Sequence, residues 1–170
     1  FRKQLALLSS DPELVLVSCS TSFLAPGGER LYVSTADGEE VRRSLLRDPV
    51  DSIRGLTHHG SAMFRREAYL QVGGYRPELY FAQDLDLWAR RAALGRIGFV
   101  DEVLYEARLD PAAISATSRR EQIETASIVL EMRDRPERSA ELLARAATIR
   151  PRRRGPGRLS RARARYFIAS

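Results

Sequence analysis

Cysteine is nearly absent from this chain, and that excludes two classes at once. The single Cys19 cannot form an internal disulfide, and one thiol cannot build a zinc site. It lies in the apolar run Val15-Leu16-Val17-Ser18-Cys19, so a buried, inert thiol is expected. Long hydrophobic runs are also missing: none approaches the ~20 residues that cross a bilayer, and the start has no signal-peptide pattern. No internal repeat is visible. Acid is absent from one end, because residues 151–170 hold seven arginines and neither Asp nor Glu. That segment carries +7 against +6 for the whole chain, so residues 1–150 net to −1. The pI of about 10.1 therefore describes a tail and not a body.

What is present suits one sizeable core. The 170 residues are 44% hydrophobic, enough for one domain with an appendage. The chain opens on Phe1, which suggests a piece of a longer protein.

The pattern predicts a helix over Arg2–Leu8 that stops before Asp11-Pro12, then a buried strand over Leu14–Ser18. Turn signals at Pro26-Gly27-Gly28 and Asp37-Gly38 flank Arg30–Ser34, as in a small exposed hairpin. Glu39–Leu46 reads as a short helix, Gly60–Phe64 as a strand, and Arg65–Val72 as a returning helix. Arg96–Val100 and Val103–Ala107 read as two strands. Ser118-Arg119-Arg120-Glu121 matches a capping box opening a helix to about Arg133, and a second helix runs from Asp134 to Ile149. Ala140, Leu143, Ala144 and Ala147 give that last helix an apolar face. Strands alternating with helices, then helices alone, indicate an α/β body with a helical end.

The stretch that organises the chain is Gln83-Asp84-Leu85-Asp86-Leu87-Trp88, preceded by Gly73-Gly74-Tyr75-Arg76-Pro77. A glycine-hinged loop leads into a helix whose first turn carries Asp84 and Asp86, where carboxylates suit the positive end of the dipole. Residues i and i+2 on a helix do not face each other, so this Asp-x-Asp is poorly placed to chelate one ion. His58 and His59 are adjacent, and on extended backbone such neighbours point to opposite faces. His58 reads as a solvated loop residue. His59, one residue nearer the Gly60 turn, is a candidate substrate contact.

In this order and spacing, the segments from His59 to Arg66, Val72 to Arg76 and Asp84 to Arg90, with Val103-Leu104-Tyr105 and Ile114-Ser115, carry a resemblance. Together they resemble the second half of an inverting family 2 glycosyltransferase of the GT-A (Rossmann-like) fold, over roughly residues 1–117. The resemblance implies a domain half at 1–117 on the acceptor side, a helical extension at 118–150 and an Arg-rich, disordered tail at 151–170. It implies a nucleotide-sugar donor, a saccharide or lipid-linked acceptor and a cytoplasmic setting, with peripheral contact on the inner membrane face as a variant, in cell-surface polysaccharide synthesis. Nucleic acid is not an expected partner, since the body holds no recognised nucleic-acid module.

By the same resemblance Asp84 matches the catalytic base, with Gln83 standing where the family has Glu. Gly73 and Gly74 match the loop that passes donor and acceptor, with Tyr75 beside them. Asp86 caps the helix and holds the loop. Trp88 packs the helix against the sheet, or stacks on sugar as the minority reading. The cofactor implied is Mn²⁺ or Mg²⁺, whose main ligand motif belongs to the half of the fold that this chain lacks. Asp110 is the one candidate ligand here, and before Pro111 it also reads as a turn residue. Without that half, the piece alone is expected to bind donor poorly. The competing reading rests on the tail, as a binder of nucleic acid or of an anionic membrane, with Leu159, Ala162 and Tyr166 aligned if it became helical. A third is a non-catalytic relative on the same scaffold.

Overall fold

The computed structural model describes residues 1–50, 52–110, 113 and 117–151. The chain is α/β, and its axis is one long strand, β1 (Leu14–Leu24), buried along most of its length. Strand β4 (Arg96–Arg108) runs parallel to it along one whole edge. The opposite edge is shared. Strand β2 (Arg30–Ser34) pairs antiparallel with Thr21–Leu24, and the two-residue β3 (Met63–Phe64) pairs antiparallel with Leu16 and Val17. The sheet is thus mixed and four-stranded.

Two expected boundaries move. The first strand does not stop at Ser18 but continues through the Ser/Thr cluster to Leu24. Three of the four buried hydroxyls there find a partner, and only Ser22 Oγ has none among the described residues. Ser18 bonds Ser61 at 2.8 Å, Thr21 bonds Thr57 at 2.8 Å, and Thr57 donates to the Cys19 carbonyl at 2.7 Å. Thr57 and Ser61 so cover the stretch of edge left between β2 and β3. The two strands expected at 96–100 and 103–107 are one strand, since Asp101 and Glu102 are both exposed and are taken up where the register slips between Val100 and Val103. Register slips near Cys19–Thr21 absorb the irregularity.

Helix α1 (Arg2–Ser10) buries Leu8 against Leu14 and Val17. Helix α2 (Gly38–Arg47) starts at Asp37, whose carboxylate accepts from the Glu40 amide at 2.8 Å, and it buries Val41 and Leu45. A 3₁₀ turn at His59–Ser61 replaces the front of the strand expected at Gly60–Phe64. Helix α3 (Arg66–Gln71) ends where Gly73 and Gly74 adopt φ of +76° and +68°, their amides returning to the carbonyls of Leu70 and Tyr69. Helix α4 (Gln83–Ala92) is buried on several sides, placing Trp88 and Ala92 in the core with Leu16, Val41 and Leu45.

Helices α5 (Arg119–Asp134) and α6 (Ser139–Ala146) close the described chain. They pack on the loop before α4: Leu79 sits among Ile128, Val129, Met132, Leu142 and Ala146. From α5, Arg133 donates to the Leu45 and Asp48 carbonyls at 3.1 and 3.0 Å, satisfying the open end of α2. The helical end is therefore a buttress of the body. Two local expectations are corrected here. Ser118 precedes α5 but its side chain makes no capping bond, so the capping box is not formed. On α6 the buried residues are Leu142 and Ala146, whereas Ala140 and Ala144 are exposed. Leu143, from the expected face, packs only partly against the same cluster that Leu142 and Ala146 fill.

Cys19 is buried, and burial pushes its thiol up from the usual range, as expected of an inert cysteine. No helix among the described residues is long and apolar enough to cross a membrane. The readings of residues 152–170, and of Ile114-Ser115, lie outside the described residues.

Candidate functional site

Between the 3₁₀ turn and the start of α4 lies a cavity of about 290 Å³. Its lining is His59, Tyr75, Tyr80, Phe81, Ala82, Gln83, Asp84 and Gln122. Four elements supply it: the 3₁₀ turn, the loop from Gly73 to Ala82, the first turn of α4, and α5. The first turn of α4 faces outward because its backbone enters from an unusual angle. Ala82 has φ +52° and ψ +24°, a left-handed conformation that costs a residue with Cβ about 1–2 kcal/mol. Phe81 and Leu79, both buried, hold the loop in that shape from below. Ala82→Gly is expected to raise stability by up to about 1 kcal/mol, the relief of strain being partly offset by glycine's freer unfolded chain. A lower urea midpoint for that variant would show that Ala82 is not strained.

Asp84 and Asp86, two residues apart, divide sharply. Asp84 is half-buried on the cavity wall, where Oδ1 accepts from the Leu85 amide at 2.9 Å. Among the described residues no arginine or lysine pairs with it. Asp86 is 3% exposed, accepts from Arg76 at 3.1 Å and from Arg90 Nε at 3.0 Å, and pairs with Arg90 Nη2 as well. Arg90 then donates onward to the Val72 and Gly74 carbonyls, the latter at 2.8 Å. Asp86 holds the loop, as expected, and it does so from inside the fold. The two carboxylates point to different places, as positions i and i+2 on a helix must.

His59 and Tyr75 join across the cavity mouth, Tyr75 Oη lying 2.9 Å from His59 Nε2. Burial raises the Tyr75 hydroxyl from its usual range, and the charges of Tyr69 and Asp84 push the same way. Gln83 spends an amide proton on the Tyr80 carbonyl at 3.0 Å, so it braces the loop. Of the residues singled out from sequence, His59, Tyr75, Gln83 and Asp84 converge on this cavity. Gly73, Gly74, Asp86 and Trp88 do not line it. The glycines end α3, and Trp88 is core, with its ring 5.6 Å from that of His59. Asp110 stands apart at the end of β4, where its carbonyl accepts from Ala113 at 2.9 Å in a turn.

A divalent cation was tested against these residues. Among the described residues no three of His, Cys, Asp and Glu group closely enough to hold a metal ion. One carboxylate at Asp110 is not a cation site, so the described residues do not fit the group by themselves and no chemical step is drawn through it.

His58 corrects one reading, for it is not a plain solvated residue. Its Nδ1 accepts from the Gly60 amide at 2.9 Å and its ring stacks on Tyr105. Burial lowers its pKa, with the neighbouring His59 acting in the same sense and Asp84 opposing. An acceptor Nδ1 places the proton of the neutral ring on Nε2. Because the folded value lies below the unfolded ~6.5, the unfolded chain takes up the proton first on acidification. Stability is therefore whole above about pH 6.5 and falls as pH drops from there toward the folded value. Thermal melts at pH 7 and pH 5 should show a smaller loss in His58→Phe than in the parent; equal losses would exclude His58 as the source.

Gly60 explains another local requirement, because a Cβ there would overlap the Tyr105 hydroxyl. Gly60→Ala is expected to displace that ring from His58, readable as a shift of the His58 ring signals in NMR. Sequence reasoning missed Tyr80, Phe81, Ala82 and Gln122 as lining residues. It also missed Arg91, 1% exposed, which stacks 4.0 Å over Phe64 and donates to the Val15 carbonyl at 2.7 Å. Burial pulls its guanidinium down to about 10. No protein-family model matches the chain, and no curated protein matches it.

Proposed function

We propose that this chain is the acceptor-side part of an inverting, nucleotide-sugar-dependent glycosyltransferase of family 2 with the GT-A fold, and that Asp84 is its general base. One observation carries this reading. Asp84 alone of the paired acids faces a cavity and lacks a cationic partner among the described residues, while Asp86 is spent on structure. A carboxylate so placed can take the proton of an incoming hydroxyl as its oxygen attacks the anomeric carbon. The diphosphate departs from the opposite face, which inverts the centre. The α/β architecture, with a parallel pair at the heart of a mixed sheet, is compatible with a Rossmann-like scaffold.

His59 and Tyr75 would position the acceptor at the cavity mouth, and the loop held by Asp86 fixes Tyr75 relative to Asp84. The donor pocket, and the main ligands of the Mn²⁺ or Mg²⁺ that would offset charge on the leaving diphosphate, belong to the other half of such a fold. Incubating the protein that contains this chain with UDP- and GDP-sugars and saccharide acceptors tests the reading. Proton NMR should show a new glycosidic anomer opposite to that of the donor. Transfer with retained configuration, or none across the donor panel, would overturn it.

A further inference from the structure

One face of the sheet carries a row of rings that the cavity does not use. Phe23 stacks on Tyr32 with centroids 4.7 Å apart, and its ring meets that of His58 edge-on at 6.0 Å. His58 in turn stacks on Tyr105 at 5.0 Å. Strand register sets this order: Phe23 lies opposite Tyr32 on β2, and Thr21, two residues earlier on the same face, lies opposite Tyr105 on β4. The rings are not core. Tyr32 is 42% exposed, and Phe23, His58 and Tyr105 are half-buried. Neither tyrosine hydroxyl has a hydrogen-bond partner among the described residues. The row adjoins the cavity at His58, the third of its four rings, since His58 precedes His59, whose side chain lines it.

We propose that this row is a binding strip for the sugar rings of an extended saccharide acceptor, leading away from Asp84. The inference rests on the acceptor-side reading of Asp84 and adds that the acceptor is a chain rather than one sugar. A pyranose ring has C–H faces edged by hydroxyls. Those faces gain dispersion and quadrupole attraction on flat aromatic rings, while the hydroxyls need polar partners. Each stacked pair covers its inner faces, so a sugar would meet the outer faces of Tyr32 and Tyr105 and the ring edges, with two phenol hydroxyls and an imidazole N–H set among them. A lipid chain would leave those polar atoms unpaired, at a cost. A phosphate-bearing ligand would call for cations, and these four rings supply none at neutral pH.

Acceptor affinity should then grow with chain length, and the growth should depend on the outer rings. Calorimetry of the whole chain with cellobiose and cellohexaose, and with maltose and maltohexaose, reads this directly. At least one hexasaccharide should bind roughly tenfold tighter than its disaccharide. Tyr32→Ala and Tyr105→Ala should each remove most of that difference, and Tyr32→Phe, which keeps the ring, should retain it. Circular dichroism confirms that the variants fold. No binding of either hexasaccharide, equal affinity for long and short chains, or a length effect that survives both alanine variants would overturn the strip. The strip and the catalytic reading separate cleanly, since length-dependent binding needs no transfer. Length-dependent binding in a parent protein that transfers no sugar from any donor would uphold the strip and remove the base.

Discussion

Asp84→Asn is expected to lower sugar transfer by roughly 10²–10⁴-fold while leaving donor affinity and thermal midpoint near their original values. The substitution keeps the shape of the side chain and its carbonyl oxygen, so the bond from the Leu85 amide survives. It removes only the ability to hold a proton. Because Asp84 has no arginine or lysine partner among the described residues, its loss strands no buried charge, and the fold should not respond. A fall in kcat with unchanged KM would mark a group acting in the transition state. Transfer at an undiminished rate would remove Asp84 from the base role, and a large drop in midpoint would show it to be structural.

Asp86→Ala should do the opposite. The carboxylate is 3% exposed and is held by Arg76 and Arg90, whose side chains are 29% and 18% exposed. Removing one partner of a buried ion pair leaves charge uncompensated in a poorly solvated place, which typically costs about 3–5 kcal/mol. For a chain of this size that corresponds to a midpoint lowered by roughly 10 °C. Arg90 would also lose the anchor that aims it at Val72 and Gly74, so the loop carrying Tyr75 should loosen. Amide exchange across residues 72–82 should quicken, and exchange in β1 should change less. A midpoint and exchange pattern equal to the parent's would show that the two arginines find other partners. The paired substitutions set a strict contrast: one aspartate changes chemistry without stability, its neighbour but one changes stability first.

How much of this was legible beforehand differs from element to element. Helices α2 and α4 could be read because local signals decide them: Asp37 caps one, and acids in the first turn with Arg90 and Arg91 in the last suit the other. The division between Asp84 and Asp86 followed from helical spacing alone. The continuous β4 could not be read, since Asp101 and Glu102 look like a break until the register slip that accommodates them is known. The same holds for β1, whose hydroxyl residues read as a loop until Ser61, Thr35 and Thr57 are known to partner Ser18, Ser20 and Thr21. Gln122 gave no local signal, because it is 38 residues from Asp84 and meets it only through the packing of α5.

By itself the sequence determined the α/β class, the helix that bears two acids, the glycines that end α3 and the buried, unpaired cysteine. Each depends on periodicity, on turn chemistry or on composition, which act over a few neighbouring residues. Tertiary structure alone decided which acid met the cavity with no cation beside it, which face of α6 was buried, and that four rings from four segments form one row. Those outcomes depend on contacts between residues far apart in the chain, and such contacts exist only once the core has set the distances.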